Sequence, residues 1–300
     1  MKSIGSVKEN LDTEKRISIT LETAKKLIDL QFNIFIEKGY GEHLGIDDEE
    51  YKKIGINLIS SPKEVFEKSN ILLQVECPTS ENLNLIKDKS ILIGQIDPFS
   101  NSESVKKLIK KEVKIFSLNL LPRITRAQSM DVLSSQANLA GYKAVIESFS
   151  LFEKAIPMMM TAAGTVPPAK VLVIGAGVAG LQAIATAKRM GAIVFATDVR
   201  TTAKEQVESL GGKFLTIEGS ENLETKGGYA KETSEDFKKK QEDLLNDTLK
   251  KIDIVICTAL IPGKKAPLII NGAFFPGIKA VQITISIFFS VSPKRSSCFF

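Results

Sequence analysis

The sequence is poor in the residues that build metal clusters and catalytic triads. Its 300 residues include one histidine, His43, and three cysteines, Cys77, Cys257 and Cys298, which lie far apart. A histidine metal cluster and a serine-histidine triad are therefore excluded, and an odd number of scattered cysteines indicates neither a disulfide framework nor a metal site. We expect no bound metal, a lone histidine with a surface or packing role, and a reducing cytosol as the setting.

Long apolar runs and a dominant charge are also absent. Residues 1–5 lack the apolar core of a signal peptide, and residues 280–291 are too short and too polar to span a bilayer. Any membrane attachment is therefore expected to come from another chain. The 40 basic and 35 acidic residues give a net charge of +5, with lysines mixed among glutamates, so we expect no nucleic-acid partner.

Short β-like runs alternate with helical patterns up to about residue 118. This alternation predicts a parallel sheet with helices on both faces. The predicted strands are Lys2–Ser6, Asn33–Glu37, Asn57–Ile59, Ile71–Glu76, Ser90–Ile93 and Lys114–Ser117, and the predicted helices are Leu21–Leu30, Asp48–Lys53, Pro62–Lys68 and Glu103–Lys110.

A long helix is predicted next, because apolar residues recur at three- and four-residue steps from Leu133 to Ala144. Pro157 then breaks the helical pattern. The adjacent methionines, Met158–Met160, are expected to fill a core beside a cleft rather than to bind a ligand. A second strand-helix-strand pattern follows, and it ends in a predicted strand at Ile252–Cys257.

The most informative segment is a glycine turn between a strand and a helix. Val171–Ile174 is an unbroken apolar run typical of a buried parallel strand, and Gly175, Gly177 and Gly180 follow it. The first glycine permits a tight turn, the second lets a pyrophosphate approach the backbone, and the third lets the helix pack closely. Such triplets also occur in purely structural turns. Here the strand, the helix and a second strand are all present, which favours dinucleotide binding at the helix N-terminus.

An acidic residue ends the second strand of this motif. Asp198 follows the apolar run Ile193–Thr197, where its carboxylate can accept hydrogen bonds from an adenosine ribose and repel a 2′-phosphate. Arg200 could argue for a 2′-phosphate, but an arginine at a strand end is more often a solvated side chain. The sequence therefore predicts NAD rather than NADP.

These patterns predict an α/β protein with two Rossmann-like doubly wound parallel-sheet domains joined by a long helix. The predicted segments are an N-terminal Rossmann-like domain at residues 1–127, a connecting helix at 128–156, an NAD-binding Rossmann domain at 157–270 and an atypical C-terminal segment at 271–300.

Two polar segments allow two interpretations each. Arg123, Arg126, Gln128 and Asp131 either contribute to a site at a cleft or cap and solvate the start of the long helix. The glycine-paired loop that contains Tyr229 is either a surface turn or a mobile lid over a nucleotide.

Four blocks together resemble the NAD(H)-binding domain of proton-translocating nicotinamide nucleotide transhydrogenase, in its separate alpha-subunit form. The likeness covers roughly residues 1–270. The blocks are PRITRAQSMD at residues 122–131 with 133–135 and 138–142, TAAGTVPPAK at 161–170, the glycine motif through Asp198, and GGYAK at 227–231 with TALIPGK at 258–264.

The resemblance implies roles for these positions. The loop that orients the nicotinamide in the family resembles the segment with Arg123, Gln128 and Asp131. Ser134 looks like the residue of the following helix that assists this loop. Tyr229 looks like the mobile-loop residue that folds over NAD(H). The implied cofactor-binding positions are Ile124, Thr125, Ser129, Met130, Gly175, Gly177, Val178, Ala179, Gly180, Asp198, Val199, Arg200, Gly228, Tyr229, Gln241 and Leu260.

The chemistry implied by the resemblance is direct hydride transfer between NAD(H) on this chain and NADP(H) on a partner subunit, coupled to proton translocation. No side chain need act as acid or base. The implied partners are a second copy in a homodimer and the membrane-spanning and NADP(H)-binding subunits. The implied location is cytoplasmic, peripheral to the inner (plasma) membrane.

The sequence departs from the family pattern after residue 270, where a Phe- and Ser-rich end replaces a segment that returns to the first domain. A frameshift or a truncated gene would produce such an end. We expect the loss to expose apolar surface, to lower stability and to promote aggregation.

Two other functions remain open at this point. One is an NAD-dependent enzyme similar to alanine dehydrogenase, a type that uses a lysine and a histidine around its pyruvate site. The present sequence has Glu76 and Gln95 at those positions. The other is a non-catalytic NAD-binding remnant.

Overall fold

A computed structural model describes residues 2–122, 124–216 and 235–258. The chain divides into two compact units, residues 1–122 with 126–131, and residues 123–125 with 132–300. Both units are α/β with parallel sheets, as the sequence predicts.

The first unit is a six-stranded parallel sheet in the order β3-β2-β1-β4-β5-β6. The chain order reverses between β1 and β4, which makes the carboxyl edge there a topological switch point. The strands are β1 (Ser3–Ser6), β2 (Asn33–Glu37), β3 (Asn57–Ile59), β4 (Ile71–Leu73), β5 (Ile91–Gly94) and β6 (Lys114–Ser117), and the helices are α1 (Leu21–Asp29), α2 (Asp48–Lys53), α3 (Pro62–Lys68), α4 (Ser80–Leu85) and α5 (Ser102–Lys110).

Strand alternation gives this sheet a core on each face. Leu72 belongs to one apolar cluster, whereas Ile71 and Leu73 on the same strand pack against the other. This is the two-residue period of a strand that is covered on both sides. Helix α4 was not predicted, because its six residues bury one side chain, Leu83, and carry little helical periodicity.

The second unit contains a four-stranded parallel sheet in the order β11-β10-β9-β12 and a separate two-stranded antiparallel hairpin, β7-β8. The strands are β7 (Met159–Thr161), β8 (Gly164–Val166), β9 (Lys170–Ile174), β10 (Ile193–Thr197), β11 (Lys213–Phe214) and β12 (Ile254–Cys257), and the helices are α6 (Val132–Leu151), α7 (Val178–Arg189), α8 (Ala203–Ser209) and α9 (Glu235–Leu249).

Both faces of this sheet are covered by helices. Val171 and Val173 share a cluster with Ala144 of α6 and Ala183 of α7. Leu172 on the same strand packs in the opposite cluster, which contains Leu245 and Leu249 of α9. The unbroken apolar run of β9 is therefore buried on both sides, as predicted for a central parallel strand.

Helices α6 and α7 approach each other closely at a glycine. A Cβ atom added to Gly141 would lie 2.1 Å from the carbonyl oxygen of Ala179, so only glycine fits there. Ala140 and Ala179 are buried beside it. This contact positions the first turn of α7, which follows the glycine turn.

The methionines at the start of the hairpin are exposed, so the prediction that they fill a core was wrong. The exposed fractions of Met158, Met159 and Met160 are 60%, 49% and 80%. They were expected to be buried because methionine is apolar, but the hairpin pairs with no other strand of the described residues, and all six of its strand residues are exposed.

No helix within the described residues is long and apolar enough to cross a membrane.

Candidate functional site

The glycine turn is a sharp reversal between β9 and α7. Gly175 has a φ of +94°, in the left-handed region that favours glycine. Gly177 is the N-cap of α7, and the helix begins at Val178. As in any α-helix, the first amides of α7 have no acceptor within the helix, and the helix dipole adds positive potential there.

Gly180 lets the helix pack against the turn. A Cβ atom at this position would lie 1.8 Å from the carbonyl oxygen of Gly175 and 2.9 Å from Oγ1 of Thr258. The first contact is with backbone, so it cannot be relieved by a side-chain rotation. Gly180 therefore has the close-packing role predicted for the third glycine.

Gly177 has different surroundings. Apart from its two chain neighbours, no described residue lies within 4 Å of a Cβ atom built on it, and its φ of −78° and ψ of −167° suit any residue. The fold itself therefore does not require glycine at this position. An open approach to backbone at a helix N-terminus is the geometry expected for the second glycine beside a pyrophosphate.

Two residues from neighbouring strands hold the turn from either side. The Ala176 N–H donates to Oδ2 of Asp198 at 2.6 Å, just beyond β10. On the β12 side, Thr258 Oγ1 donates to the Gly175 carbonyl at 2.6 Å, and the Thr258 N–H donates to the Ile174 carbonyl at 2.9 Å. Residues 258–264 belong to one of the blocks that resemble the family, but this contact was not predicted, because spacing along the chain does not show which hydroxyl reaches a carbonyl.

Asp198 is also paired with Arg200. Oδ1 accepts hydrogen bonds from the Arg200 N–H at 2.8 Å and from its Nε at 2.9 Å, and Oδ2 accepts from Nη2 at 2.9 Å. The side chains of Arg200 and Asp198 are 16% and 6% exposed. The description of Arg200 as a solvated side chain was therefore wrong.

The pKa of Asp198 lies below its usual value. Burial by itself would raise this pKa, but the hydrogen bonds from Arg200 and from the Ala176 N–H, with the positive charge of Arg200, outweigh it. Asp198 is therefore an anion at neutral pH, and the pair has no net charge.

The other predicted contacts of this unit are only partly described. Val178 and Val199 are half-buried at the start of α7 and just after β10, and Ala179 is buried. Gln241 is half-buried, four residues before Leu245 on the sheet-facing side of α9. Gly228, Tyr229 and Leu260 lie outside the described residues, as does the atypical segment at 271–300.

The predicted nicotinamide loop forms a short 3-10 helix, Thr125–Met130, just before α6. Its one buried side chain is Ala127. The Asp131 N–H donates to the Gln128 carbonyl at 3.2 Å, which closes the turn. The predicted residues Ile124, Thr125, Gln128, Ser129 and Met130 are exposed, Asp131 and Ser134 are half-buried, and Arg123 lies outside the described residues.

The switch point of the first unit carries carboxylates. Glu9 accepts hydrogen bonds from the N–H groups of Val75 at 2.6 Å and Glu76 at 3.4 Å. Burial raises the pKa of Glu9 from 4.5 to about 7, against the two hydrogen bonds and with the negative charges of Glu76 and Glu14. Oε1 of Glu76 is buried and has no hydrogen-bond partner among the described residues.

His43 lies on the surface of this unit. It is exposed, and its Nε2 is 2.8 Å from the Lys15 carbonyl, as suits a surface residue.

Comparison with known proteins places the chain in a family. The model described as Alanine dehydrogenase/PNT, N-terminal domain, matches residues 5–140, and the corresponding C-terminal domain model matches residues 144–285. An NAD(P) transhydrogenase alpha subunit of Rhodospirillum rubrum is 46% identical over 291 residues, which cover 95% of this chain and 76% of that protein. The chain belongs to the NAD(P) transhydrogenase alpha-subunit family.

A solved transhydrogenase structure from Sinorhizobium meliloti is similar in fold and sequence. Its TM-score is 0.75 at 43% identity, over 89% of this chain and 72% of that one. An alanine dehydrogenase of Methanococcus maripaludis is only 26% identical over 271 residues, which cover 89% of this chain and 67% of that protein. Membership of the transhydrogenase alpha-subunit family, predicted from the four blocks, is thus confirmed.

Alanine at Gly180 should affect stability, whereas alanine at Gly177 should affect NADH binding. Gly180→Ala is expected to lower the melting temperature, because its Cβ overlaps backbone at a cost of about 1–3 kcal/mol. Gly177→Ala is expected to melt like the parent but to bind NADH at least about tenfold more weakly, because its Cβ occupies the open approach to the amides. Thermal melting and NADH fluorescence titration measure the two effects. Full NADH affinity in Gly177→Ala would contradict the assignment.

Glu9 should make stability depend on pH. Because its folded pKa of about 7 lies above the ordinary 4.5, the folded protein binds more protons between these values, and the free energy of unfolding falls as pH rises through them. Glu9→Gln should remove this fall and stabilise the protein above pH 7 by at most about 3 kcal/mol. Urea unfolding across this pH range tests it, with Glu81→Gln, an exposed change on α4, as control. An unchanged slope in Glu9→Gln would rule this effect out.

Proposed function

We propose that this chain is the NAD(H)-binding component of a proton-translocating transhydrogenase and works with subunits that hold NADP(H). The observation that carries the proposal is the glycine turn, whose open Gly177 lies at the start of α7 while Asp198 and Thr258 hold the backbone in place. This geometry occurs in a chain that is 46% identical to a transhydrogenase alpha subunit.

In the proposed pose, the pyrophosphate lies against Gly177 and the amides at the start of α7. The adenosine ribose lies toward Asp198 and Val199 at the end of β10. Switch-point binding of this kind is general for open α/β sheets. Tyr229, Gln241 and Leu260 remain proposed contacts on the strength of the family resemblance.

When bound, NADH supplies a hydride that leaves C4 of its ring with both electrons and joins C4 of NADP⁺ on the partner subunit. The task of this chain is then to hold the ring and to exclude water. We assign positioning to Arg123, Gln128, Asp131 and Ser134. Of the three that the structure describes, Gln128 lies in the short 3-10 helix, Asp131 directly follows it, and Ser134 lies in the first turn of α6.

The first unit argues against a pyruvate site like that of alanine dehydrogenase. Gln95 lies beside the acidic loop, since its N–H donates to the Val75 carbonyl at 2.9 Å. The carboxylates of Glu9 and Glu76 share this edge, and negative charge there disfavours the carboxylate of a 2-oxo acid.

Subunit contacts form the second element of the proposal. We infer that the chain acts as a homodimer at the cytosolic face of a membrane, attached through membrane-spanning partners. The exposed hairpin supports a second copy as one partner. An isolated two-stranded hairpin is marginally stable in water, and its exposed methionines form an apolar surface suited to burial.

Reconstitution tests the catalytic proposal. The chain should catalyse the reduction of an acetylpyridine analogue of NADP⁺ by NADH, or of an analogue of NAD⁺ by NADPH. We expect this activity only after the NADP(H)-binding and membrane-spanning components are added. Oxidation of NADH that requires pyruvate and ammonia would instead indicate the alanine dehydrogenase type. NADH binding without turnover in the complete mixture would indicate a non-catalytic remnant.

The dimer can be tested at the hairpin. Met160→Lys should convert the dimer to monomers in light scattering, because it places a charge in a surface that the second copy buries. Leu30→Lys, at the exposed end of α1, serves as the control and should stay dimeric. If Met160→Lys stays dimeric at the same concentration, the hairpin is not the interface.

A further inference from the structure

The pair formed by Asp198 and Arg200 uses the whole acceptor capacity of the carboxylate. A carboxylate offers about four acceptor positions. Four donors occupy them: the Ala176 N–H, the Arg200 N–H, and Nε and Nη2 of the Arg200 side chain, all within 2.9 Å. The two backbone donors belong to the fold, whereas the two guanidinium donors can be exchanged. A ribose that bonds to Asp198 must therefore take the place of the guanidinium.

The guanidinium has its own affinity for nucleotides. Its planar set of N–H donors matches phosphate oxygens as well as it matches a carboxylate. Arg200 lies two residues beyond Asp198, the acid proposed to bind the ribose, so we place its guanidinium within reach of a 2′-phosphate. In the structure, Nε and Nη2 both point at Asp198.

We propose that Arg200 is a specificity-determining residue and that Asp198 excludes NADP(H) chiefly by holding this arginine. The inference rests on the proposed NAD(H) site. Asp198 acts twice, since its charge repels a 2′-phosphate and its oxygens occupy the donors that would bind one. Removal of the acid frees Arg200 for the phosphate, and the preference for NAD(H) is then lost.

The first unit, which does not contain the nucleotide turn, has a matched pair. Glu14 accepts from the Arg16 N–H at 2.8 Å, from Nε at 2.8 Å and from Nη2 at 2.5 Å, with the same two-residue spacing. Glu14→Gln therefore breaks an equivalent pair and leaves Asp198 and Arg200 unchanged.

The test is a double-mutant cycle on the full chain, with dissociation constants for NADH and NADPH from fluorescence titration. Asp198→Asn should shift the ratio of the two constants toward NADPH by roughly tenfold or more. Asp198→Asn with Arg200→Gln should lose most of this shift. Arg200→Gln alone should keep the preference for NADH, and Glu14→Gln should leave the ratio unchanged.

Different outcomes would contradict the role of Arg200 and the proposed NAD(H) site. If the double variant gains NADPH affinity as fully as Asp198→Asn, simple charge repulsion is sufficient and the role of Arg200 is overturned. A shift in Glu14→Gln would overturn it as well. Absence of NADH binding by the folded parent chain would instead sink the proposed function. Asp198→Ser, which has no charge but keeps a hydroxyl near the Ala176 N–H, replaces Asp198→Asn if the latter does not melt cooperatively.

Discussion

The close approach of Gly180 to the Gly175 carbonyl is the constraint on which the nucleotide-binding unit depends. No side chain fits between helix α7 and the turn, so the helix begins directly above the carboxyl end of β9. On its other side, α7 packs equally closely against α6, at Gly141. The first turn of α7 is thus fixed by backbone contacts on two sides, and its amides are presented in a defined direction before any ligand arrives. A preorganised site of this kind loses less entropy on binding.

Hydrogen bonds from two side chains also fix the backbone of the glycine turn. Asp198 and Thr258 come from the strands on either side of β9, and each bonds to backbone of the glycine turn. Thr258 binds the turn through a neutral hydroxyl, and we propose no nucleotide contact for it. Asp198 is charged and must be compensated, and Arg200 does this. The residue that shapes the turn is therefore also the one proposed to bind the ribose, which would link the stability of the turn to the choice of nucleotide.

The two parallel sheets carry different charges at their carboxyl edges. Both have a switch point at the carboxyl edge, but the second places helix amides and a neutral ion pair there, whereas the first places Glu9 and Glu76. Anions are favoured at the one edge and disfavoured at the other. The pKa of Glu9 is raised mainly by burial, and the negative charges of Glu76 and Glu14 add to this effect. Shared fold thus does not imply shared function, since the side chains at the edge decide what binds.

The sequence by itself determined the alternation of strands and helices, the glycine turn and the family, because these depend on local periodicity and on residue types with few substitutes. β2, β3, β6 and β10 begin and end at the residues that the sequence pattern predicts. Only the tertiary structure decided the exposure of Met158–Met160, the partner of Arg200 and the reach of Thr258 to Gly175. Those depend on which segments meet in space, and a methionine, an arginine or a threonine carries no local signal of what it will meet.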